Sequence, residues 1–371
     1  MIIGYEAKRI FHNATGLGNY SRDLIKILSK LYPENSYNLY NPKPGKISIH
    51  DPGKTVEEKL PRKKLDKIFK NYWRRKNIIK DLKRDKIEVF HGLSGEIPFN
   101  LKENNIKSVV TIHDLIFLRF PEFYSFLDRY IYKKKFLHAA RKADVVIAVS
   151  EQTKSDIVEF LSIDESKIKV IYQGCQKEYK TRYQSSEITN FCKEKKIPEN
   201  YILNVGTVES RKNILSAIKA IKDIDTHLVI VGSFTAYSKK VKEYVEQEQL
   251  HEKVIFLGGL STYELALLYQ GAKIFIYPSL FEGFGIPIIE ALYSQTPVIT
   301  TNYGCFPEAG GPDSIYVDPK NISEISEAIH SLLNDPAKRK FISEKSFNYV
   351  QRFNDENIAS QIISLYKDLL K

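Results

Sequence analysis

Residues 279–292 read Ser279-Leu280-Phe281-Glu282-Gly283-Phe284-Gly285-Ile286-Pro287-Ile288-Ile289-Glu290-Ala291-Leu292. A short apolar strand ends just before them at Tyr277, and an apolar-periodic helix begins after Gly285. Gly283 and Gly285 let backbone approach a ligand closely, and the helix start presents unpaired N–H groups and a partial positive charge to an anion such as a diphosphate. Glu282 stands in the turn and Glu290 in the helix. A carboxylate beside bound phosphate is repelled by it, so a Glu here makes sense as an acceptor for hydroxyls, which a sugar nucleotide carries on both ribose and sugar. Each such charge-assisted hydrogen bond is worth about 1.5–3 kcal/mol. Read alone, Glu290 equally fits a carboxylate that satisfies the helix dipole.

Working outward, the same strand–turn–helix unit recurs. Strands are expected at Ile2–Tyr5, Glu88–His91, Ser108–His113, Asp144–Val149, Lys169–Tyr172, Tyr201–Val205, His227–Val231, Val254–Leu257, Lys273–Tyr277 and Pro297–Thr300, with amphipathic stretches between them. Gly206, Gly232 and Gly258 each close a strand at intervals of 26 residues, the length of one strand, a turn, a helix and a return. The pattern predicts two doubly wound α/β domains with parallel sheets, whose ligands bind at the carboxyl ends of the strands. It lapses between Gln173 and Asn200. We therefore expect a first domain over residues 1–185, a second over 186–352, and a last helix over 353–371 whose apolar stripe (Ile358, Ile362, Ile363, Leu365, Tyr366, Leu369) packs back on the first domain.

A second cluster, Gly206-Thr207-Val208-Glu209-Ser210-Arg211-Lys212-Asn213, opens the second domain. Arg211 and Lys212 enter the next helix at a strand's carboxyl end, within reach of the same diphosphate. By themselves two adjacent basic residues on a loop also read as solvated surface. His91 and His113 both end strands; a lone strand-end His is more often structural. Asp114 either orients the His113 ring or caps the next turn. Asp223-Ile224-Asp225 has the spacing of a metal-binding pair but falls at a helix end before a strand, and Gly16-x-Gly18-x-x-Ser21 is a defective dinucleotide fingerprint. Neither a metal nor a nicotinamide cofactor is expected.

The chain's 371 residues, 43% hydrophobic and 27% charged, suit two globular domains. Three cysteines (Cys175, Cys192, Cys305) have neither C-x-x-C spacing nor a nearby His, which suits reduced thiols in a cytoplasmic protein. No apolar run approaches a bilayer span. The net charge is +11, and residues 59–86 hold 13 basic residues against three acids, or +10 of it. Leu65, Ile68, Phe69, Tyr72, Ile79 and Leu82 recur there at near-helical spacing. One reading is a cationic amphipathic segment lying on an anionic membrane; the other, favoured by the need for a helix ahead of the strand at Glu88, packs that stripe against the sheet. No nucleic-acid-binding module accompanies the charge, and nucleic acid is not expected as a partner.

Taken together, the two glycine-flanked clusters, Pro297-Val298-Ile299, Gly304-Cys305-Phe306-Pro307-Glu308, Thr15-Gly16-Leu17-Gly18-Asn19-Tyr20, Thr111-Ile112-His113-Asp114-Leu115 and Ala143-Asp144 to Val149-Ser150-Glu151 resemble the large group of retaining glycosyltransferases with the GT-B fold, bacterial mannosyltransferases among them. The resemblance runs over almost the whole chain. It implies two Rossmann-like domains facing a central cleft, the N-terminal one for acceptor and the C-terminal one for a nucleotide diphosphate sugar. On that likeness Arg211 and Lys212 bind diphosphate, Glu290 the ribose hydroxyls, and Glu282 with the Gly283-Phe284-Gly285 backbone the transferred sugar. Gly206 lies at the phosphates, His113 beside the donor sugar, and Gly16 and Gly18 in a loop near phosphates and acceptor. Many relatives carry Arg directly after the glycine matching Gly206; here it is Thr207, which leaves Arg211 for that role. The implied activity is metal-independent, retaining transfer of a hexose, with GDP-mannose the preferred donor, to a hydroxyl of a glycan or glycolipid. A sugar-nucleotide epimerase or phosphorylase of the same fold, and a non-catalytic scaffold, are the competing readings.

Overall fold

The computed structural model describes residues 1–47, 49 and 53–371. The chain divides into two compact units, Met1–Gly174 with Phe353–Lys371, and Cys175–Arg352. The first therefore ends earlier than residue 185. The physical reason is Tyr179, buried with its ring edge-on to Tyr269 at 5.6 Å, which draws the segment after Gly174 into the second unit.

The described residues of the first unit form seven strands, β1 Ile2–Glu6, β2 Ser36–Tyr40, β3 Val56–Lys59, β4 Val89–Gly92, β5 Lys107–Ile112, β6 Val145–Ala148 and β7 Ile168–Val170. They form one parallel sheet in the order β3-β2-β1-β4-β5-β6-β7. The second contains β8 Tyr201–Val205, β9 His227–Val231, β10 Val254–Leu257, β11 Ile274–Tyr277, β12 Val298–Thr301 and β13 Ile315–Val317, also parallel, in the order β10-β9-β8-β11-β12-β13. Sheets covered on both faces need strands that are apolar throughout, and β8 and β11 are buried at every position. In each sheet the winding reverses beside the first strand, between β1 and β4 and between β8 and β11. Such reversals open a crevice at the carboxyl ends of the strands.

The final helix, Asp355–Leu370, buries Ile358, Ile362, Ile363 and Tyr366 in the same core as Ile3, Tyr5 and Val89. Tyr366 Oη also meets His91 Nδ1 at 2.6 Å, while His91 Nε2 lies 2.8 Å from Thr111 Oγ1. His91 is wholly buried and, by that burial first and His113 second, held down to a pKa of about 3. It is a neutral structural residue that ties β4 and β5 to the last helix.

Three strands were not expected from the sequence: β2, β3 and β13. The basic segment also departs from the sheet-packed reading over its first half. It is not one helix but short pieces, Lys64–Ile68 and Lys70–Tyr72, then a π-helical turn Trp73–Asn77 and Ile78–Arg84. Trp73 inserts into the core and donates its indole N–H to Asp81 at 2.7 Å, which resets the helical phase. Ile78 and Leu82 beyond it are buried, but Leu65 (68% exposed), Ile68 (69%), Phe69 (61%) and Tyr72 (53%) are not packed on the sheet. Among the described residues no helix is long and apolar enough to cross a membrane.

Candidate functional site

The second unit's crevice, where β8 and β11 end, gathers side chains from two loops. The first follows Gly206 and carries Arg211 and Lys212 in a turn of 3-10 helix, Ser210–Lys212. The second is the 279–285 turn. They are clamped together by the Leu280 N–H donating to the Arg211 carbonyl at 2.9 Å, and by the Asn213 amide donating to the Pro278 and Pro319 carbonyls at 3.1 and 2.7 Å. Asn213 adopts a left-handed φ of 54°, a conformation that Asn tolerates better than most residues.

Glu282 is the hub. Its Oε1 accepts from Lys212 Nζ at 2.6 Å and Tyr277 Oη at 3.1 Å, and pairs with Arg211 Nη1 at 2.9 Å. Lys212 Nζ also reaches Tyr277 Oη at 2.5 Å. Arg211 continues to Glu209 at 2.5 Å and to the Phe281 carbonyl. The side chains of Lys212, Arg211 and Glu282 are only 13%, 15% and 12% exposed. Burial alone would push the Glu282 carboxyl up; the Lys212 and Arg211 charges outweigh it and bring the pKa down to about 2. Burial opposes the charge on Arg211 too, and Glu282 followed by Glu209 more than restores it. The two cations thus face two carboxylates, a preorganised and electrically balanced cluster rather than a pair of free positive charges.

Gly285 caps the following helix, Ile286–Tyr293, with φ +112°, a backbone state that a side chain would strain. Gly283 and the buried Phe284 occupy the turn before it. Glu290, on that helix, accepts from Tyr269 Oη at 2.9 Å. Cys305 Sγ lies 3.2 Å from the Glu282 carbonyl. The sequence reading missed Tyr277, Tyr269 and Asn213. Tyr277 had a signal, since a tyrosine that ends a strand one residue ahead of a Pro-Ser turn points toward the strand's carboxyl edge; Tyr269 had none.

The remaining expected site residues belong to the first unit. His113 follows β5, its Nε2 2.8 Å from the Leu93 carbonyl and its Nδ1 2.7 Å from the Gln173 side-chain amide. The bonds fit a neutral ring with the proton on Nε2. Burial lowers its pKa to about 4, against the Leu93 bond and with Arg9 assisting. Tyr20 meets the ring edge-on at 4.7 Å. Asp114 accepts from the Ile116 N–H at 3.1 Å and so serves the next turn.

Gly16 and Gly18 correct an expectation. They lie not in a loop but in the first turn of the helix Gly16–Leu31. Asn13 Oδ1 accepts from the N–H groups of Thr15 at 2.8 Å and Gly18 at 3.3 Å, which starts the helix early. A Cβ at Gly18 would fall 1.8 Å from the Asn13 carbonyl oxygen, so this glycine is required by close backbone packing.

Comparison with known proteins agrees with this architecture. Residues 186–368 match the family model of the group 1 glycosyl transferases, and residues 38–178 that of glycosyltransferase family 4. An O-antigen chain mannosyltransferase of Salmonella typhimurium is 32% identical over 68% of this chain and 67% of its own length. O-antigen chain mannosyltransferase B of Escherichia coli is 27% identical over 99% of this chain and all of its own. Among solved structures, a sucrose-phosphate synthase of Thermosynechococcus elongatus superimposes with a TM-score of 0.80 at 22% identity, covering 100% of this chain and 99% of that one. The Anabaena protein HepE in complex with UDP-glucose gives 0.79 at 17% identity, covering 99% of each chain. The fold is GT-B.

Proposed function

The chain belongs to the group 1 glycosyltransferases, a retaining family, and from that premise we propose that it moves a hexose, mannose from GDP-mannose, to a hydroxyl of a glycan or lipid-linked saccharide in cell-surface polysaccharide synthesis. The observation that carries the reading is the convergence of Lys212, Arg211 and Tyr277 on one oxygen of Glu282 at the strand-order reversal of the second unit. The mannosyltransferase names of the relatives support the choice of sugar.

Lys212 and Arg211 bind the donor's diphosphate and, with the N-terminus of the Ile286–Tyr293 helix, stabilise the charge that develops on it as it departs. Glu282 holds both cations through Oε1. Its Oε2 takes no hydrogen bond from the described residues and accepts from a hydroxyl of the transferred sugar. Glu290 takes the ribose hydroxyls, beside Tyr269. Gly206 and the Gly283-Phe284-Gly285 backbone line the donor, His113 serves the donor sugar, and Gly16 and Gly18 serve the phosphates and acceptor. His113 acts as a neutral, fixed ring, its one proton held on Nε2 by the Leu93 carbonyl, and transfers none.

In the reaction the anomeric carbon's bond to the diphosphate oxygen breaks, and its bond to the acceptor oxygen forms on the same face. The acceptor's proton passes to the departing phosphate oxygen, so no protein nucleophile is needed. Basic side chains supply the leaving-group stabilisation that a metal supplies elsewhere. The exposed Leu65, Ile68, Phe69 and Tyr72, set among lysines, support seating of the first unit on an anionic leaflet. Flotation with vesicles of neutral lipid, with and without anionic lipid, checks that; no flotation with either sinks it.

The test of function is a panel of GDP-mannose, UDP-glucose, UDP-N-acetylglucosamine and dTDP-rhamnose with a lipid-linked saccharide acceptor, read by nucleotide release and by the product's anomeric configuration. GDP release with a glycoside of retained configuration is expected. Interconversion or release of the sugar from donor alone would instead mark an epimerase or phosphorylase, and Lys212→Ala with undiminished turnover would exclude the assigned site.

A further inference from the structure

Gln173 is a buried polar residue, 3% exposed, on the segment that follows β7, and the donor chemistry above gives it no part. Its backbone is held on both sides. Tyr172 sets its ring edge-on to Phe353 at 5.3 Å, and a Cβ on Gly174 would fall 3.3 Å from the Phe353 carbonyl oxygen and 3.2 Å from Ile358 Cδ1. The chain leaves the first unit after Gly174 and returns to it at Phe353. Gln173 therefore starts from a backbone fixed by two contacts with the returning chain.

Its side chain has a long-range partner. β6 lies between β5 and β7 in the sheet, and Gln173 reaches past it to His113, the residue after β5. The Gln173 amide nitrogen is 2.7 Å from His113 Nδ1, and His113 Nε2 is 2.8 Å from the Leu93 carbonyl. A carbonyl oxygen only accepts, so Nε2 carries the ring's proton, Nδ1 is bare, and the amide donates to it. The His113 carbonyl in turn accepts from Thr153 Oγ1 at 3.2 Å, and Tyr20 stands edge-on to the ring. His113 is partly exposed, yet both ring nitrogens are engaged, so the ring surface left for a ligand is carbon.

The charged and titratable groups about the ring are Arg9 of the helix Lys8–His12, His91 of β4, Tyr20, and Asp114, which turns to the Ile116 N–H. Among the described residues Gln173 is the hydrogen-bond partner of Nδ1. A donor on that nitrogen favours the uncharged ring. Sugar transfer has a use for this. Positive charge develops at the anomeric carbon as the diphosphate leaves, and an imidazolium nearby opposes it. An open Nδ1 would also compete with the departing phosphate oxygen for the acceptor's proton.

We propose that Gln173 is a positioning residue for sugar transfer, its amide holding His113 in the Nε2–H form with Nδ1 closed to protons. The inference rests on the placement of His113 at the donor sugar and names the residue that keeps that ring uncharged.

The test reads the ring directly, by long-range 1H–15N correlation on protein carrying 15N-histidine, with His113 identified by the signals lost in His113→Asn. The parent should show a protonated Nε2 and a bare Nδ1 from pH 7.5 to 5. In Gln173→Glu a carboxylate replaces the amide, and His113 should show both nitrogens protonated at pH 6. At that pH kcat should fall about 100-fold, the effect of a unit charge several ångströms from the reacting carbon. The KM for GDP-mannose should stay within about threefold of the parent's, since the diphosphate contacts are untouched, and the rate should recover as pH rises to 8. Gln173→Met keeps the side-chain length without the N–H, and should give mixed tautomers with a kcat about tenfold down, the loss of one hydrogen bond. A proton on Nδ1 in the parent, or mixed tautomers there, overturns the inference without any substrate. A neutral His113 in Gln173→Glu at pH 6 overturns it too, as does parent-like kcat in both variants or a change confined to KM. No transfer by the parent from any nucleotide sugar would remove the reaction that Gln173 serves, and the ring signals tell that failure from this one.

Discussion

Replacing Glu282 by Gln keeps the shape of the hub and removes its charge, and the structure sets two opposed consequences. The carboxyl is held from its ordinary 4.5 down to about 2 by Lys212 and Arg211 against the cost of burial. A shift of that size corresponds to about 3 kcal/mol of native-state stability at neutral pH, the lower end of what removing one partner of a buried ion pair costs. For a unit of this size about 3 kcal/mol lowers the melting temperature by roughly 6–12 °C. The native value is depressed, so this contribution is present in full above the unfolded carboxyl's value and is lost as pH falls from about 4.5 toward 2. The variant should lack that part of the acid transition. The opposite effect falls on the ligand: without the carboxylate, both cations turn to diphosphate, and GDP should bind at least threefold more tightly, since an opposing charge a few ångströms away is gone. Transfer nevertheless falls about 10- to 100-fold with loss of the sugar-hydroxyl contact. Calorimetry from pH 7 to 3, GDP titration and initial rates measure all three. Glu282→Gln that melts with the parent, or binds GDP more weakly, refutes the reasoning.

Lys212→Ala should reduce transfer about 10²- to 10³-fold, because it removes a cation aimed at the leaving group; initial rates at saturating donor check this, and a loss under threefold contradicts it. Tyr366→Phe strands the buried His91 Nδ1 and should cost about 1–3 kcal/mol of stability in the first unit, seen as a lower denaturant midpoint; an unchanged midpoint counts against the assigned role. His91 and His113 are held neutral, at about 3 and about 4, so their contribution is complete above the ordinary histidine value and declines as pH falls below about 6.5. Melting of the first unit followed from pH 7.5 to 5 should show that decline, and a flat profile contradicts it. Chelator should leave the rate within twofold; abolition by chelator with rescue by manganese overturns the metal-independent account.

Five of the six strands of the second unit were legible because sheets covered on both faces demand unbroken apolar runs: β8, β9 and β10 fall on the expected residues. Those that were missed lack that signature. Ser36–Tyr40 carries Asn38 among tyrosines, Val56–Lys59 is an edge strand reading Val-Glu-Glu-Lys, and Ile315–Val317 is three residues long. In the basic segment helical spacing was legible, but the phase break at Trp73, set by a tertiary contact with Asp81, was not. At the site the sequence supplied Arg211, Lys212 and Glu282 as separate candidates. That they close on one another, with Tyr277 and Glu209, depends on how two loops 70 residues apart are clamped. Gly18 shows the converse: the residue was legible, while its reason, contact with the Asn13 carbonyl, was not.

The central claim is that the Lys212–Glu282–Arg211 cluster holds a nucleotide diphosphate sugar. Calorimetric titration of GDP-mannose into the protein and into Lys212→Ala tests it most directly. The account predicts one site per chain in the parent and at least tenfold weaker binding in the variant. Equal binding by the two, or no binding of any nucleotide sugar by the parent, would contradict it.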